Sequence, residues 1–152
     1  MPEKRFEDIT ETNLHQILHC NTIVPALWMK ILFKLLKGKE DCITAVLSAR
    51  VGSIEDNHLG GWYSYRASKA ALNMILKSLS IEYARRAKNV KIIAFHPGTT
   101  DTALSKPFQS SVASSKLFAP KFVAERLTGI MDNASVDGEL SFLDWDGKVI
   151  NW

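Results

Sequence analysis

Cysteine is scarce in this chain of 152 residues, which holds only Cys20 and Cys42. They form no CxxC pair and have no histidine at metal-ligand spacing. That excludes a zinc ribbon or a disulfide framework. No secretory leader pattern is visible, so both thiols read as reduced core residues and the location as cytoplasmic. Long apolar runs are also lacking. None reaches the ~18 residues of a membrane-span candidate. The nearest, Ile23 to Leu36, is interrupted by Pro25, Lys30 and Lys34, and reads as a buried or interface helix of a soluble protein. There is no internal repeat. The one biased stretch, Ser110 to Ser115, is serine-rich and suits a mobile loop. Charge is close to balanced, at +3, and the basic residues are scattered along the chain. This gives no case for nucleic acid.

What is present is ordinary globular composition, 46% hydrophobic and 23% charged. The length is enough for one domain, residues 1–152, with a real core. Met1 to Asp8 is charged and reads as loose. Thr10 or Thr12 is placed to cap a long helix. Its apolar face is Leu14, Ile17, Leu18, Val24, Leu27, Trp28, Ile31, Leu32 and Leu35, spaced mostly by three and four. Gly38 ends it. Cys42 to Leu47 is a short, near-continuous apolar run, the pattern of a strand buried on both faces of a parallel sheet. A second helix is expected from about Tyr65 to Ala87, with Leu72, Ile75, Leu76, Leu79 and Tyr83 along one face. Val90 to Phe95 repeats the buried-strand pattern and breaks at His96-Pro97-Gly98. Pro120 suits a first helical turn, ahead of Val123, Leu127, Ile130 and Met131. Leu140 to Trp145 reads as a third strand, and Asp146-Gly147 as a turn. Alternating helices and strands imply right-handed crossovers and a three-layer α/β arrangement. Three strands are few for a doubly wound sheet.

Tyr65 is the only tyrosine with a lysine four residues later. On a helix, Tyr65 and Lys69 share a face. An ammonium and the positive end of a helix dipole both favour the phenolate. They bring a phenol closer to acid–base work near neutral pH. Pro97 and Gly98 turn the chain at a strand end, where Thr99 and Thr102 offer hydroxyl and backbone groups. In open α/β sheets this is where ligands bind. Asn21 lies four residues before Pro25. Proline has no N–H, so the Asn21 carbonyl loses its helical partner and is free to hold a water.

Tyr65-Arg66-Ala67-Ser68-Lys69-Ala70-Ala71 closely resembles the YxASKAA signature of short-chain dehydrogenases/reductases. Pro97-Gly98-Thr99-Thr100-Asp101-Thr102 resembles that family's PG-x-x-x-T segment, and Asn21 falls at its helix asparagine. Ser48 to Ile54, Gly60 to Ser64 and Phe142 to Trp152 resemble the C-factor-like branch. The resemblance runs from about Asn13 to Trp152. It implies the C-terminal portion of a Rossmann-like, doubly wound parallel sheet, with its last three strands and flanking helices. It also implies an NAD(P)-dependent oxidoreductase interconverting a small carbonyl and an alcohol. Tyr65, Lys69 and Asn21 take the catalytic places. Tyr65, Lys69, Pro97, Gly98, Thr99 and Thr102 take the cofactor-binding ones. No metal, membrane or nucleic acid is implied.

Two departures stand out. Matching Gly52 and Ile54 to the family pattern puts Ala49 at the serine position, leaving Ser48 or Ser53 as substitutes. The family's glycine-rich turn, G-x-x-x-G-x-G, which lets backbone approach a pyrophosphate, does not occur. NADP or NAD binding by this chain alone is therefore expected to be weak or absent. The chain is expected to be poorly stable alone, or to form homo-oligomers or pair with a full-length relative. An inactive fragment that assembles through its two long helices is the alternative function.

Overall fold

The apolar runs expected to be buried strands form one sheet, as the computed structural model of residues 3–152 places them. Met1 and Pro2, and the Ser111 side chain, lie outside the described residues. Helix α1 (Glu11–Leu18) leads through a π-helical turn, His19–Ile23, into α2 (Val24–Leu36). Strand β1 (Cys42–Leu47), helix α3 (Tyr63–Arg86) and strand β2 (Val90–His96) follow. After a two-residue strand β3 (Thr99–Thr100) come 3-10 turns at Lys106–Ser111 and Ser114–Lys116. Strand β4 (Leu117–Phe118), helix α4 (Pro120–Asp132) and strand β5 (Leu140–Asp144) complete the chain. The sheet order is β1-β2-β5, all parallel. β3 and β4 form a small parallel pair of their own.

Side-chain alternation along β2 builds the two layers. Val90, Ile92 and Ala94 pack with Met29, Leu72, Leu76 and Tyr83, on the side of α2 and α3. Ile93 and Phe95 pack with Val123 of α4, backed by Leu127, Ile130 and Trp145. Leu72 and Leu76 are fully buried, each worth about 1.5–3 kcal/mol of transfer free energy. Tyr83 ties the helices together, its hydroxyl donating to the Met29 carbonyl at 3.2 Å. Lys91 is the one charged residue on the central strand. Its ammonium is buried but meets the Asp137 carboxylate at 2.6 Å and the Glu139 carbonyl at 3.0 Å.

Three expectations are corrected. The long first helix is not α-helical throughout: Pro25 supplies no N–H, and the helix answers by widening to a π turn. Within it the Val24 N–H reaches back to the His19 carbonyl. The charged N-terminal stretch is not loose throughout, because Glu3 is buried at 3% exposure. Cys20, expected as a core thiol, is exposed. Elsewhere the boundaries differ by a residue or two, as helix and strand ends do.

Candidate active site

The C-terminal ends of β1 and β2 and the N-terminus of α3 meet at one end of the sheet. Entry into α3 is unusual. Gly60, Gly61 and Trp62 all have positive φ, of 65°, 64° and 54°. For tryptophan that conformation is strained. It is held by Arg66, which donates to the Gly60 and Gly61 carbonyls at 3.2 and 3.0 Å. It is also held by the Trp62 N–H, which donates to the Glu3 carbonyl at 2.6 Å. Trp62 brings no side-chain cap to the helix. Glu3 caps it from a distance: its carboxylate accepts the Ser64 N–H at 3.3 Å, the Ser64 hydroxyl, and the Asn13 amide at 2.6 Å. Burial opposes ionisation of Glu3, but these hydrogen bonds outweigh it and leave its pKa below the usual glutamate value.

Tyr65 sits in the first turn of α3, half-buried. Lys69, one turn on, is 8% exposed, with its ammonium 6.0 Å from the centre of the Tyr65 ring. That ammonium donates to the Leu47 carbonyl, at the end of β1, at 2.9 Å. Burial raises the Tyr65 pKa and lowers that of Lys69. The depressed phenol expected from the lysine and the helix dipole does not emerge in this chain by itself. Desolvation disfavours both charged forms.

Asn21 lies in the π turn, and its side-chain amide donates to the Ser68 hydroxyl at 3.1 Å. Ser68 passes a hydrogen bond to the Tyr65 carbonyl at 2.7 Å. Thr22 holds the Ser68 carbonyl at 2.8 Å. Asn21 is thus linked to the Tyr65 turn through Ser68. Its own carbonyl faces an imide nitrogen four residues on, at Pro25, that has no proton to give.

Pro97 to Thr102 leaves the end of β2 beside this group. Gly98 has φ +68°, and a Cβ there would lie 2.6 Å from the Phe118 ring. Only glycine fits both constraints. Thr99 is half-buried in β3, and Thr102 is exposed, its N–H taken by the Ser105 hydroxyl at 3.2 Å. The loop beyond returns through Phe108, whose ring lies 5.4 Å from that of Trp62. Trp62 in turn lies edge-on to Tyr65 at 6.3 Å.

Neither candidate serine directs its hydroxyl at Tyr65. The Ser48 hydroxyl donates to the Asn73 side chain at 2.6 Å, and Ser53 accepts the Asp56 N–H at 3.0 Å. Ala49 lies buried at the end of β1. Behind this position Arg50 bridges Asp56 at 2.8 Å and Asp144 at 2.9 Å. His96 stands close by with its Nδ1 buried and without a hydrogen-bond partner. Burial first, then the Arg50 charge, push the His96 pKa down to about 4, with Asp144 opposing.

A cleft of about 540 Å³ opens at the other end of the strands, lined by Lys37, Lys39, Asp41, Arg85, Arg86 and Lys88. A smaller hollow of about 160 Å³ lies between Gly52, Ile54, Arg66 and Ala70. Tyr65 and Lys69 form no part of either wall. The larger cleft therefore lies away from the chemistry-bearing end, whereas the smaller hollow adjoins it through Gly52 and Arg66.

Sequence reasoning passed over Glu3, Trp62, Ser68 and His96. Ser68 and Trp62 stood inside quoted motifs and could have been singled out. Nothing local marks Glu3, whose partners are 10 and 61 residues away.

A parallel sheet with helices on both faces defines a Rossmann-like α/β fold, and Tyr65 and Lys69 lie one turn apart at its strand C-termini. The family model for short chain dehydrogenases matches residues 1–113. This chain belongs to the short-chain dehydrogenase family. It is 31% identical over 135 residues to the 1-hydroxy-2-glutathionyl-2-methyl-3-butene dehydrogenase of Rhodococcus sp. (strain AD45), covering 89% of this chain and 57% of that one. It is 32% identical over 108 residues to the C-signal protein of Myxococcus xanthus, covering 71% and 60%. Among solved structures, NADPH-bound carbonyl reductase from chicken fatty liver superposes with a TM-score of 0.83 at 25% identity. That match takes in 100% of this chain and 62% of the other. The chain thus spans about three fifths of the length of the relatives it matches.

Proposed function

We propose that this chain carries the catalytic part of an NAD(P)-dependent short-chain oxidoreductase that interconverts a small carbonyl compound and an alcohol. The observation that carries the reading is the placement of Tyr65 and Lys69 one helical turn apart at the C-terminal end of a parallel sheet. Tyr65 gives a proton to, or takes one from, the substrate oxygen. Lys69 supports it electrostatically, and has two further ammonium protons for the ribose hydroxyls of a cofactor. Asn21 holds the π turn against the Tyr65 turn and offers a carbonyl to a relay water. Pro97, Gly98, Thr99 and Thr102 form the wall against the nicotinamide. The nicotinamide, when bound, supplies or accepts the hydride.

These residues fit the nicotinamide–ribose half of NADP or NAD. The pyrophosphate half has no such counterpart, since the eight glycines include no G-x-x-x-G-x-G turn. Residues 1–152 are read as a single domain of the Rossmann type, C-terminal in character and cytoplasmic. Trp62 and Phe108 give the substrate side an aromatic boundary. With Ala49 at the serine position, one donor to the substrate oxygen is missing. Losing such a donor costs about 2.7–4 kcal/mol of transition-state stabilisation.

The test is reduction of a panel of aldehydes and ketones with NADPH and NADH, comparing the wild-type chain with Tyr65→Phe. Activity lost on substitution supports the reading. Equal rates, or none in either protein, remove the claim of catalysis for this chain.

A specific surface supports the second reading, an inactive assembly module. Along α2, Leu27, Trp28, Ile31 and Leu35 are 48–79% exposed, and on α3 Met74 is 67% exposed. Contiguous apolar exposure of this kind marks a protein interface. The partner is a second copy or a full-length relative, and sedimentation of the chain against Ile31→Asp tests it.

A further inference from the structure

The end of the sheet opposite Tyr65 carries the strongest unassigned feature, the cleft of about 540 Å³ between the α2–β1 and α3–β2 connections. Its basic residues are scattered in sequence and gathered in space. Lys37 and Lys39 of the first connection line it together with Arg85, Arg86 and Lys88 at the end of α3 and beyond. Among the described residues Asp41 is the one carboxylate in the wall. Five cations against one anion is more positive charge than the chain's net +3. The whole positive excess of the chain is thus concentrated here.

Basic residues that follow a helix often serve only to meet its last carbonyls. Here other groups meet them. The Lys37 N–H closes on the Phe33 carbonyl at 3.0 Å, and the Ala87 N–H on the Tyr83 carbonyl at 2.8 Å. Asn89 ties the two connections together. Its side-chain nitrogen donates to the Leu36 and Glu40 carbonyls at 2.9 and 2.8 Å, and its side-chain oxygen accepts the Gly38 N–H at 3.0 Å. The backbone beneath the cations is therefore fixed before any ligand arrives, which lowers the ordering cost of binding. Arg86 is held over the Phe33 ring, 5.0 Å from its centre, and is paired with Glu82. Among the described residues no carboxylate pairs with Lys37, Lys39 or Lys88.

This cleft is not part of the site around Tyr65. Tyr65 and Arg85 stand near opposite ends of α3, about 30 Å apart at the helical rise. The volume suits a small ligand, for which sites run to about 300–1,000 Å³. Of the described residues in the wall none is aromatic, and Ala87 is the only apolar side chain. A ligand there is held by charge rather than by a ring. Guanidinium forks match phosphate oxygens, and a concave cluster of like charge concentrates a multivalent counter-ion. We propose that the cleft binds a compact, soluble polyphosphate with three or more phosphate groups. A duplex or a membrane takes a broad basic face, whereas these cations converge on a hollow. The proposal does not require catalysis by this chain.

Sodium tripolyphosphate is the probe, titrated into the full chain at low salt and followed by calorimetry and NMR. Binding is expected, and it should weaken as salt is added. The amides of Gly38, Lys39 and Lys88 should shift, and those of Tyr65 and Gly98 should not. Lys39→Gln combined with Lys88→Gln should weaken binding by about tenfold or more. Lys106→Gln combined with Lys116→Gln removes the same charge at the other end and should change it by less than about twofold. Inorganic phosphate should bind at least about tenfold more weakly than the probe. The proposal is overturned by an absence of binding, by shifts centred on Tyr65 and Gly98, or by equal losses in the two double variants. It is overturned too if inorganic phosphate binds as tightly, or if phosphatidylglycerol vesicles or duplex DNA displace the probe at equal phosphate concentration. Should the cleft variant fail to fold, the NMR shifts of the unmutated chain still decide the matter.

Discussion

The Glu3 carboxylate accepts the backbone N–H of Ser64 at 3.3 Å, fastening a residue near the start of the chain to the first turn of the helix that bears Tyr65. Because Trp62 offers no side-chain cap, Glu3 does that work. Glu3→Ala is expected to cost about 0.5–2 kcal/mol, the range for a lost N-cap, measured by urea unfolding. Its pKa is lowered in the folded chain. The stabilisation is thus fully present above the ordinary glutamate pKa and is lost as pH falls through the lower folded value. In Glu3→Gln that part of the acid dependence should disappear.

Lys69 is buried with one protein acceptor, and burial lowers its pKa. Lys69→Met keeps the length of the side chain and removes the desolvated charge. The variant is expected to be more stable by ~1–3 kcal/mol, seen as a higher urea midpoint at constant m. On the proposed function, it should also lose any carbonyl reduction that the wild-type chain supports. A variant both less stable and less active would mean that the Leu47 contact outweighs the burial cost.

His96 gives the second pH signature. Its folded pKa of about 4 lies below the ordinary 6.5. The unfolded chain therefore takes up the proton first as pH falls. Stability from this group is complete above the unfolded value and declines between pH 6.5 and about 4. The full effect is on the order of 3 kcal/mol. Unfolding measured at pH 7 and pH 5 should show the decline, and His96→Phe should flatten it. An NMR titration of the His96 ring near pH 6.5 would contradict the burial argument.

By the family resemblance Ala49 holds the serine position, and Ser48 and Ser53 are engaged with Asn73 and Asp56. Ala49→Ser is expected to raise kcat by roughly tenfold or more in a preparation that turns over NADPH, as a single added oxyanion donor can. An unchanged kcat would place the limiting step elsewhere.

Much of the fold was legible because buried strands and amphipathic helices leave short-range patterns. Cys42 to Leu47 reads as apolar on both faces, and the structure divides those side chains between two layers. The Tyr65–Lys69 spacing alone put both residues on one helical face. The π turn was half legible: Pro25 announced a defect, expected as a kink, and the helix widens there instead. The role of Glu3 was not legible, since its contacts join residues far apart in sequence. The phenol was misjudged in direction because charge and dipole can be counted from residues, whereas desolvation depends on what packs around them.

By itself the sequence determined the alternation of helix and strand, the family motifs, and the absence of a glycine-rich phosphate turn. These depend on periodicity and on residues a few positions apart. Tertiary structure alone decided that Lys69 reaches the Leu47 carbonyl and that neither serine faces Tyr65. Those outcomes come from how separate elements pack, which fixes burial and hydrogen-bond direction, and local spacing does not encode either.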